Sequence, residues 1–138
     1  MHIEAYLRIL SDEDRIRAID LETNLADASI KQVKARRGSP SEGMWWDWGT
    51  ARTSIDIDKT DEDLKALLLI YRPIFPIIKK HGGPNTDVYL EVVTYYEVGE
   101  EPQGLYLSAE TIQLLSEMGG ALDNDVVIGA GKSRDAGG

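Results

Sequence analysis

A period of two runs through the opening stretch of the chain, HIEAYLRI (residues 2–9). Its apolar positions are Ile3, Ala5, Leu7 and Ile9, and the more polar side chains stand between them. This alternation is typical of a strand with one buried face, because successive side chains of a strand point to opposite sides. We therefore expect a first strand here, with one face in the core and the other turned away from it.

The longest helical pattern lies in the middle of the chain. Apolar residues recur at helical spacing over residues 64–78, and Thr60 with the three carboxylates after it predicts a capped helix start. Pro73 and Pro76 each lack a backbone donor and crowd the preceding turn. We therefore expect a kink or break near Arg72.

Two shorter helices are predicted by serine residues that precede acidic or apolar helical runs. Ser11 comes before Asp12, and Ser108 comes before the stretch that ends at Gly119. A serine side chain can accept hydrogen bonds from the free amide groups of a helix start, and glycine commonly ends a helix. Both segments are therefore expected to be helices.

The other apolar patterns are those of strands. They are a short edge strand within residues 28–37, an extended segment at 44–58, a central strand at 87–98 and a last strand at 122–128. The element order is then β-α-β-β-α-β followed by an added α-β. It predicts an α+β fold with a ferredoxin-like core, in which an antiparallel sheet carries helices mainly on one face. We expect one domain over residues 1–128 and a flexible tail over 129–138.

Within the extended segment, the alternation of apolar and polar residues shifts by one position. Trp46 and Trp48 stand at even positions, whereas Ile55 stands at an odd one. Either a bulge at Gly49 and Thr50 places both sets in the core, or the strand is regular and the two tryptophans face outward. The sequence leaves both alternatives open.

Composition excludes several classes of protein. The chain has 138 residues, a net charge of −9 and no cysteine. A general polyanion binder needs clustered positive charge, so we do not expect nucleic acid as a partner. Without cysteine there are no disulfides, thiolate nucleophiles or sulfur-ligated metals, which favours a cytoplasmic protein. The start has neither a basic segment nor a long apolar run, so we expect no signal peptide and no membrane association.

Motifs for nucleotide or metal binding are incomplete. The tail sequence GAGKS (residues 129–133) ends like a phosphate loop, but Val126 stands where the first glycine is needed. The carboxylates between Asp56 and Asp63 lack the spacing of an EF-hand loop, and helix capping explains several of them. His2 and His81 are far apart and have no metal-ligand spacing. We therefore expect no cofactor, no metal site and no catalytic residue.

One basic run stands out in the acidic chain. It consists of Lys31, Lys34, Arg36 and Arg37. Basic residues on an edge strand discourage pairing with another chain, and no aromatic residues interleave with these as stacking platforms for bases. This run is therefore expected to be a solvated edge.

Several of these segments together resemble the bacterial domain-of-unknown-function family 4279. The resemblance is carried by YLRI (residues 6–9), the glycine loop before the tryptophan segment at 44–48, the leucine-rich helix with its internal proline, and GLYLSAE (residues 104–110) before two leucines. It covers roughly residues 3–128. The family has no established activity, and the resemblance implies a small protein of the kind encoded beside bacterial toxins. It carries over no catalytic residue.

The tryptophans carry the functional hypothesis. All three lie within residues 45–48, and strand alternation cannot place them all on one face, so at least one is expected outside the main core. An exposed tryptophan beside charged residues is typical of an interface anchor. The candidate partner- or ligand-binding residues are Trp45, Trp46, Asp47, Trp48, Arg52, Asp56 and Asp58.

These observations favour a small acidic binding module that contacts a protein partner. The module is either an immunity-type inhibitor of a basic toxin or another protein-interaction domain. The alternative is a small-ligand-binding or enzymatic domain with a pocket beside the tryptophan strand, where Asp47, Asp56 or Asp58 fixes the ligand. A third interpretation is a homodimer that buries the tryptophan strand or the basic edge.

Overall fold

A mixed β-sheet forms the framework of the protein. The computed structural model describes residues 1–34 and 44–129. The strands are β1 (His2–Ser11), β2 (Ser29–Lys34), β3 (Met44–Gly49), β4 (Thr53–Ile55), β5 (Asp87–Tyr96) and β6 (Ala121–Ile128). The helices are α1 (Glu13–Thr23), α2 (Thr60–Tyr71), α3 (Phe75–His81) and α4 (Ala109–Met118).

The strand order confirms the predicted α+β architecture. The sheet runs β2-β3-β1-β5-β6, and β4 pairs with β1. The first four strands of that order are antiparallel neighbours, as in a ferredoxin-like core. The added unit α4-β6 returns β6 parallel to β5, which makes the complete sheet mixed. The predicted edge strand is β2, at one end of this order.

A bulge after β3 determines which face of the sheet Trp46 and Trp48 occupy. Arg8 pairs with Gly49, whereas Ala5 pairs with Thr53. The β1 side has two residues between these pairs and the other side has three, so one extra residue is inserted. Trp48 and Ile55 consequently both reach the core, at 0% and 5% exposure. The alternative with outward-facing Trp46 and Trp48 is wrong.

The hydrophobic core lies between the sheet and a single layer of helices. Ile3, Ala5, Leu7 and Ile9 of β1 are buried in one cluster with apolar residues of all four helices. The helical segment breaks where the prolines predict it, since α2 ends at Tyr71 and a 3-10 turn (Arg72–Ile74) leads into α3. The helices therefore cover one face of the sheet.

Two predicted helix caps were wrong in detail. Ser11 stays in the β1 ladder opposite Trp46, and Asp12 caps α1 by accepting from the Arg15 amide at 2.9 Å. Thr60 is already inside α2, and its hydroxyl donates to the carbonyl of Ile57 at 3.2 Å instead of capping the amides. Ser108 caps α4 as predicted, accepting from the Thr111 amide at 3.3 Å.

Some predictions concern residues outside those described. They are the end of the predicted edge strand with Arg36 and Arg37, the glycine loop before Met44, and the tail after Gly129. Among the described residues, no helix combines the length and apolar character that a membrane crossing requires.

Candidate functional site

The sheet has a second face, opposite the helices, which we call the open face. Its side chains alternate with the core residues along each strand, and strand partners share it. It includes Tyr6 and Arg8 of β1, Trp45 and Asp47 of β3, Tyr89 and Glu91 of β5, and Asp123 and Asp125 of β6. Charged and aromatic groups thus occupy the side of the sheet that helices of the described chain leave uncovered.

Arg8 joins two acids at the centre of the open face. Its Nε and Nη2 atoms donate to Asp47 Oδ2 at 3.1 and 2.9 Å, and its Nη1 atom donates to Glu91 Oε1 at 3.2 Å. Asp47 is 5% exposed and Glu91 is fully buried. Burial opposes the charged form of Arg8, but the hydrogen bond and charge of Asp47 and the hydrogen bond of Glu91 raise its pKa overall. One guanidinium therefore donates hydrogen bonds to two buried acidic side chains.

Glu91 belongs to a group of three carboxylates that crosses from β5 to β6. One oxygen from each of Glu91, Asp123 and Asp125 lies within 4.8 Å of the others. Glu91 Oε2 is buried and finds no hydrogen-bond partner among the described residues. Burial, together with the hydrogen bond and charge of Asp123, raises the pKa of Glu91 to about 8 although Arg8 opposes the shift. The folded protein therefore favours the protonated form of Glu91 unless another positive group reaches the three acids.

A cavity opens beside this group. It has a volume of about 280 Å³, and its lining includes Arg8, Val33, Trp45, Tyr89 and Asp123. Trp45 is only 6% exposed, and its indole N–H has no acceptor among the described residues. The cavity is therefore lined by two aromatic rings, a carboxylate and a guanidinium.

The three predicted tryptophans lie in different surroundings. Trp48 is fully buried on the helix side, where its Nε1 donates to Asp20 Oδ1 of α1 at 3.0 Å. Trp46 is half-buried on the same side, with the Arg17 guanidinium 5.0 Å from its ring centre. Trp45 lines the cavity on the open face. Of the three, Trp45 is the one placed at the candidate site.

Arg52 lies at the margin of the open face. Its Nη1 donates to Glu4 Oε1 at 3.3 Å and to the Tyr95 hydroxyl at 3.1 Å, and its guanidinium stands 5.0 Å from the centre of the Tyr6 ring. Predicted residue Asp47 is at the centre of the face, paired with Arg8. These two predicted residues therefore share a face with Trp45.

The other two predicted acids lie elsewhere. Asp56 and Asp58 are in the turn before α2, where the Asp58 amide donates to Asp56 Oδ1 at 2.9 Å and the Asp56 amide donates to Asp63 Oδ2 at 2.9 Å. Asp58 lines a different cavity of about 410 Å³ that also includes Tyr96 and Asn124. The structure does not bring either acid to the cavity beside Trp45.

The sequence interpretation missed Glu91, Asp123 and Asp125. One signal was available, since Glu91 is the single charged residue in VYLEVV (residues 88–93), a stretch otherwise apolar enough for a central strand. The pairing of Glu91 with Asp123 depends on the parallel register of β5 and β6. Single-sequence periodicity does not give that register, so the carboxylate group could not be assembled from it.

Chemically, the open face is suited to positive charge. Three clustered carboxylate oxygens attract a metal ion, an ammonium or a guanidinium. The nearby rings of Trp45 and Tyr89 add surfaces that favour cations and flat apolar groups. The face therefore presents groups whose chemistry suits a cationic ligand.

Comparison with known proteins identifies a family for the chain. The family model described as "Domain of unknown function (DUF4279)" matches residues 1–128. No curated protein matches the chain. The family match thus spans the whole sheet, including both strands that supply the carboxylate group.

Proposed function

This chain belongs to the DUF4279 family, and we propose that it is a non-enzymatic binding module whose open face contacts a basic protein. The supporting observation is the carboxylate group of Glu91, Asp123 and Asp125 on a sheet face that the described helices leave uncovered. Complementary charge at such a face speeds encounter and selects the partner. The net charge of −9 favours the same kind of partner.

Within that face, the cavity beside Trp45 is the natural anchor point. A lysine or arginine side chain entering it would meet the Asp123 carboxylate and the rings of Trp45 and Tyr89. Arg8 and Lys34 also line the cavity, so the entering charge must sit on the side of Asp123. A central aromatic pocket surrounded by charged groups is the arrangement in which interface residues contribute most to binding. Trp45 and Asp123 are therefore the proposed centre of the contact.

The specific form of this proposal is an immunity-type inhibitor that covers a basic toxin surface. We also propose a cytoplasmic location, which the cysteine-free sequence supports. Contact between two copies would need acidic faces to approach each other, so a homodimer through this face is disfavoured by charge. Sedimentation of the parent as a dimer, together with sedimentation of Asp125→Lys as a monomer, would contradict the proposal.

The test is capture of products of adjacent genes by the immobilised protein, compared between two charge reversals. Asp125 lies in the carboxylate group and Glu101 is an exposed acid in the loop after β5, so Asp125→Lys and Glu101→Lys change the net charge equally. We expect a basic protein to be captured by the parent and by Glu101→Lys, and lost with Asp125→Lys. Equal capture by all three proteins, or no partner at low salt, would contradict the proposal.

The second candidate is a small ligand or substrate in the same cavity. It is favoured by the position of the cavity beside the carboxylate group. Asp123 lines the cavity, and its neighbour Glu91 has a pKa raised to about 8, as buried acids at functional sites often have. A metabolite screen by thermal shift separates the two candidates, since a ligand that prefers the native state raises the melting temperature. A compound whose effect disappears in Trp45→Phe would favour this second function over the first.

A further inference from the structure

We propose that Glu91, Asp123 and Asp125 form a calcium-binding site on the open face. This inference goes beyond the proposed function, because it concerns the protein alone and needs no partner. It rests on the spacing of the three carboxylates, on the unpartnered buried oxygen of Glu91, and on access from solvent.

The spacing is compatible with one bound ion. The three carboxylate oxygens lie within 4.8 Å of one another. Two oxygens bound to one calcium ion, at about 2.3 to 2.6 Å each, can be separated by up to about 5 Å. Calcium also accepts irregular coordination, whereas magnesium demands near-ideal octahedral geometry and gives up its water reluctantly. The ligand set therefore favours calcium.

The state of Glu91 is an independent indication of a missing cationic partner. Its side chain is fully buried, Arg8 occupies Oε1, and Oε2 has no hydrogen-bond partner among the described residues. A buried carboxylate oxygen without a partner is costly, and either a proton or a coordinated cation can compensate it. Arg8 also orients the carboxylate from the side of Oε1, which leaves Oε2 available.

The remaining geometry allows an ion to enter and to be hydrated. Asp125 is exposed and Asp123 is half-buried, so the group is reached from solvent at the β6 edge. Calcium takes six to eight oxygen ligands and accepts water among them. Three carboxylates with several waters therefore make a complete shell.

The test is isothermal titration of the chelator-treated protein with calcium chloride, repeated with magnesium chloride. The variants are Glu91→Gln and Asp125→Asn, and the control is Asp58→Asn, an exposed acid in the turn before α2. We expect one calcium per chain, weaker magnesium binding, and a loss of affinity of about tenfold or more in both site variants. Asp58→Asn should bind calcium as the parent does.

A second experiment tests whether the ion binds at the carboxylate group. Terbium is a luminescent substitute for calcium, and its emission is sensitised by a nearby indole, here Trp45 on the same face. We expect sensitised emission that calcium displaces and that Asp125→Asn, altered at an exposed position, abolishes. No calcium heat in the parent, or parent-like affinity in both site variants, would overturn the proposal. Either result leaves the capture experiment unaffected, because that experiment measures a protein partner.

Discussion

Glu91 of β5 and Asp123 of β6 are Cα partners in the parallel register of the sheet, so their carboxylates stand side by side on the open face. Arg8 compensates Glu91 from the other side, but it also serves Asp47. A fold that only needed stability would place an apolar residue at a buried position such as 91. This placement supports the binding role that we propose for the open face.

The first prediction concerns pH and the stability of the fold. The pKa of Glu91 is raised from 4.5 to about 8, so between these values the unfolded chain releases a proton that the folded chain keeps. The free energy of unfolding should therefore decrease as pH rises through this window, by up to about 1.4 kcal/mol for each pKa unit. Groups facing Glu91 are Tyr6 and Arg8 from β1 and Asp123 and Asp125 from β6.

Glu91→Gln isolates this contribution, because glutamine resembles the protonated acid and has no proton to lose. Urea unfolding should show the variant close to the parent near pH 4.5 and increasingly more stable than the parent as pH approaches about 8. Glu101→Gln, at an exposed loop position, is the matched control and should follow the parent. A constant difference between Glu91→Gln and the parent across the window would refute a raised pKa.

The second prediction concerns Arg8. Arg8→Met leaves Asp47 buried without its guanidinium, and breaking a buried ion pair by removing one partner is strongly destabilising. Because Arg8 is itself 26% exposed, we expect a loss of about 2 to 3 kcal/mol in urea unfolding. Lys65→Met removes an exposed pair with Glu110 and should cost less than about 0.5 kcal/mol. Adding Asp47→Asn to Arg8→Met should restore part of the free energy of unfolding, because the buried charge is then removed as well. A double variant less stable than Arg8→Met would contradict this prediction.

The third prediction concerns the indoles. In variants that keep one tryptophan and replace the other two by phenylalanine, acrylamide should quench Trp46 most and Trp48 least. The half-buried position of Trp46, and the exposures of 6% for Trp45 and 0% for Trp48, set this order. Strong quenching of Trp48 would mean that its strand is not bulged after Gly49.

The fourth prediction concerns the hydrogen bond between Trp48 and Asp20. Trp48→Ala removes a fully buried side chain and should lower the free energy of unfolding by about 3 to 5 kcal/mol. Asp20→Ala removes only the acceptor of the indole N–H and should cost about 1 to 2 kcal/mol. An equal cost for both variants in urea unfolding would show that the packing of the ring contributes nothing.

The sequence predicts the fold well where periodicity and local chemistry act alone. Alternation in β1 and the prolines at 73 and 76 were sufficient for the first strand and the helix break. The shift in alternation near Gly49 indicated either a bulge or outward-facing tryptophans. The choice between them depends on the register between β1 and its two partners, β3 and β4. Long-range register is set by packing of the whole sheet, which local patterns do not contain.

The candidate site was predicted only in part for the same reason. Trp45 and Asp47 were identified because adjacent aromatic and charged residues are visible in the sequence. Glu91, Asp123 and Asp125 are distant along the chain and meet only because β6 pairs in parallel with β5. Asp56 and Asp58 attracted attention as an acidic run, although their side chains and amides make local turn contacts.

The most direct test of a cation-binding open face is the association rate of the captured basic partner, measured by surface plasmon resonance over a range of ionic strength. The comparison is between the parent and the double variant Asp123→Asn with Asp125→Asn. We predict that association of the parent slows steeply as salt is added, and that the double variant associates more slowly at low salt with a weaker salt dependence. Identical rates for the two proteins at every ionic strength would contradict the account.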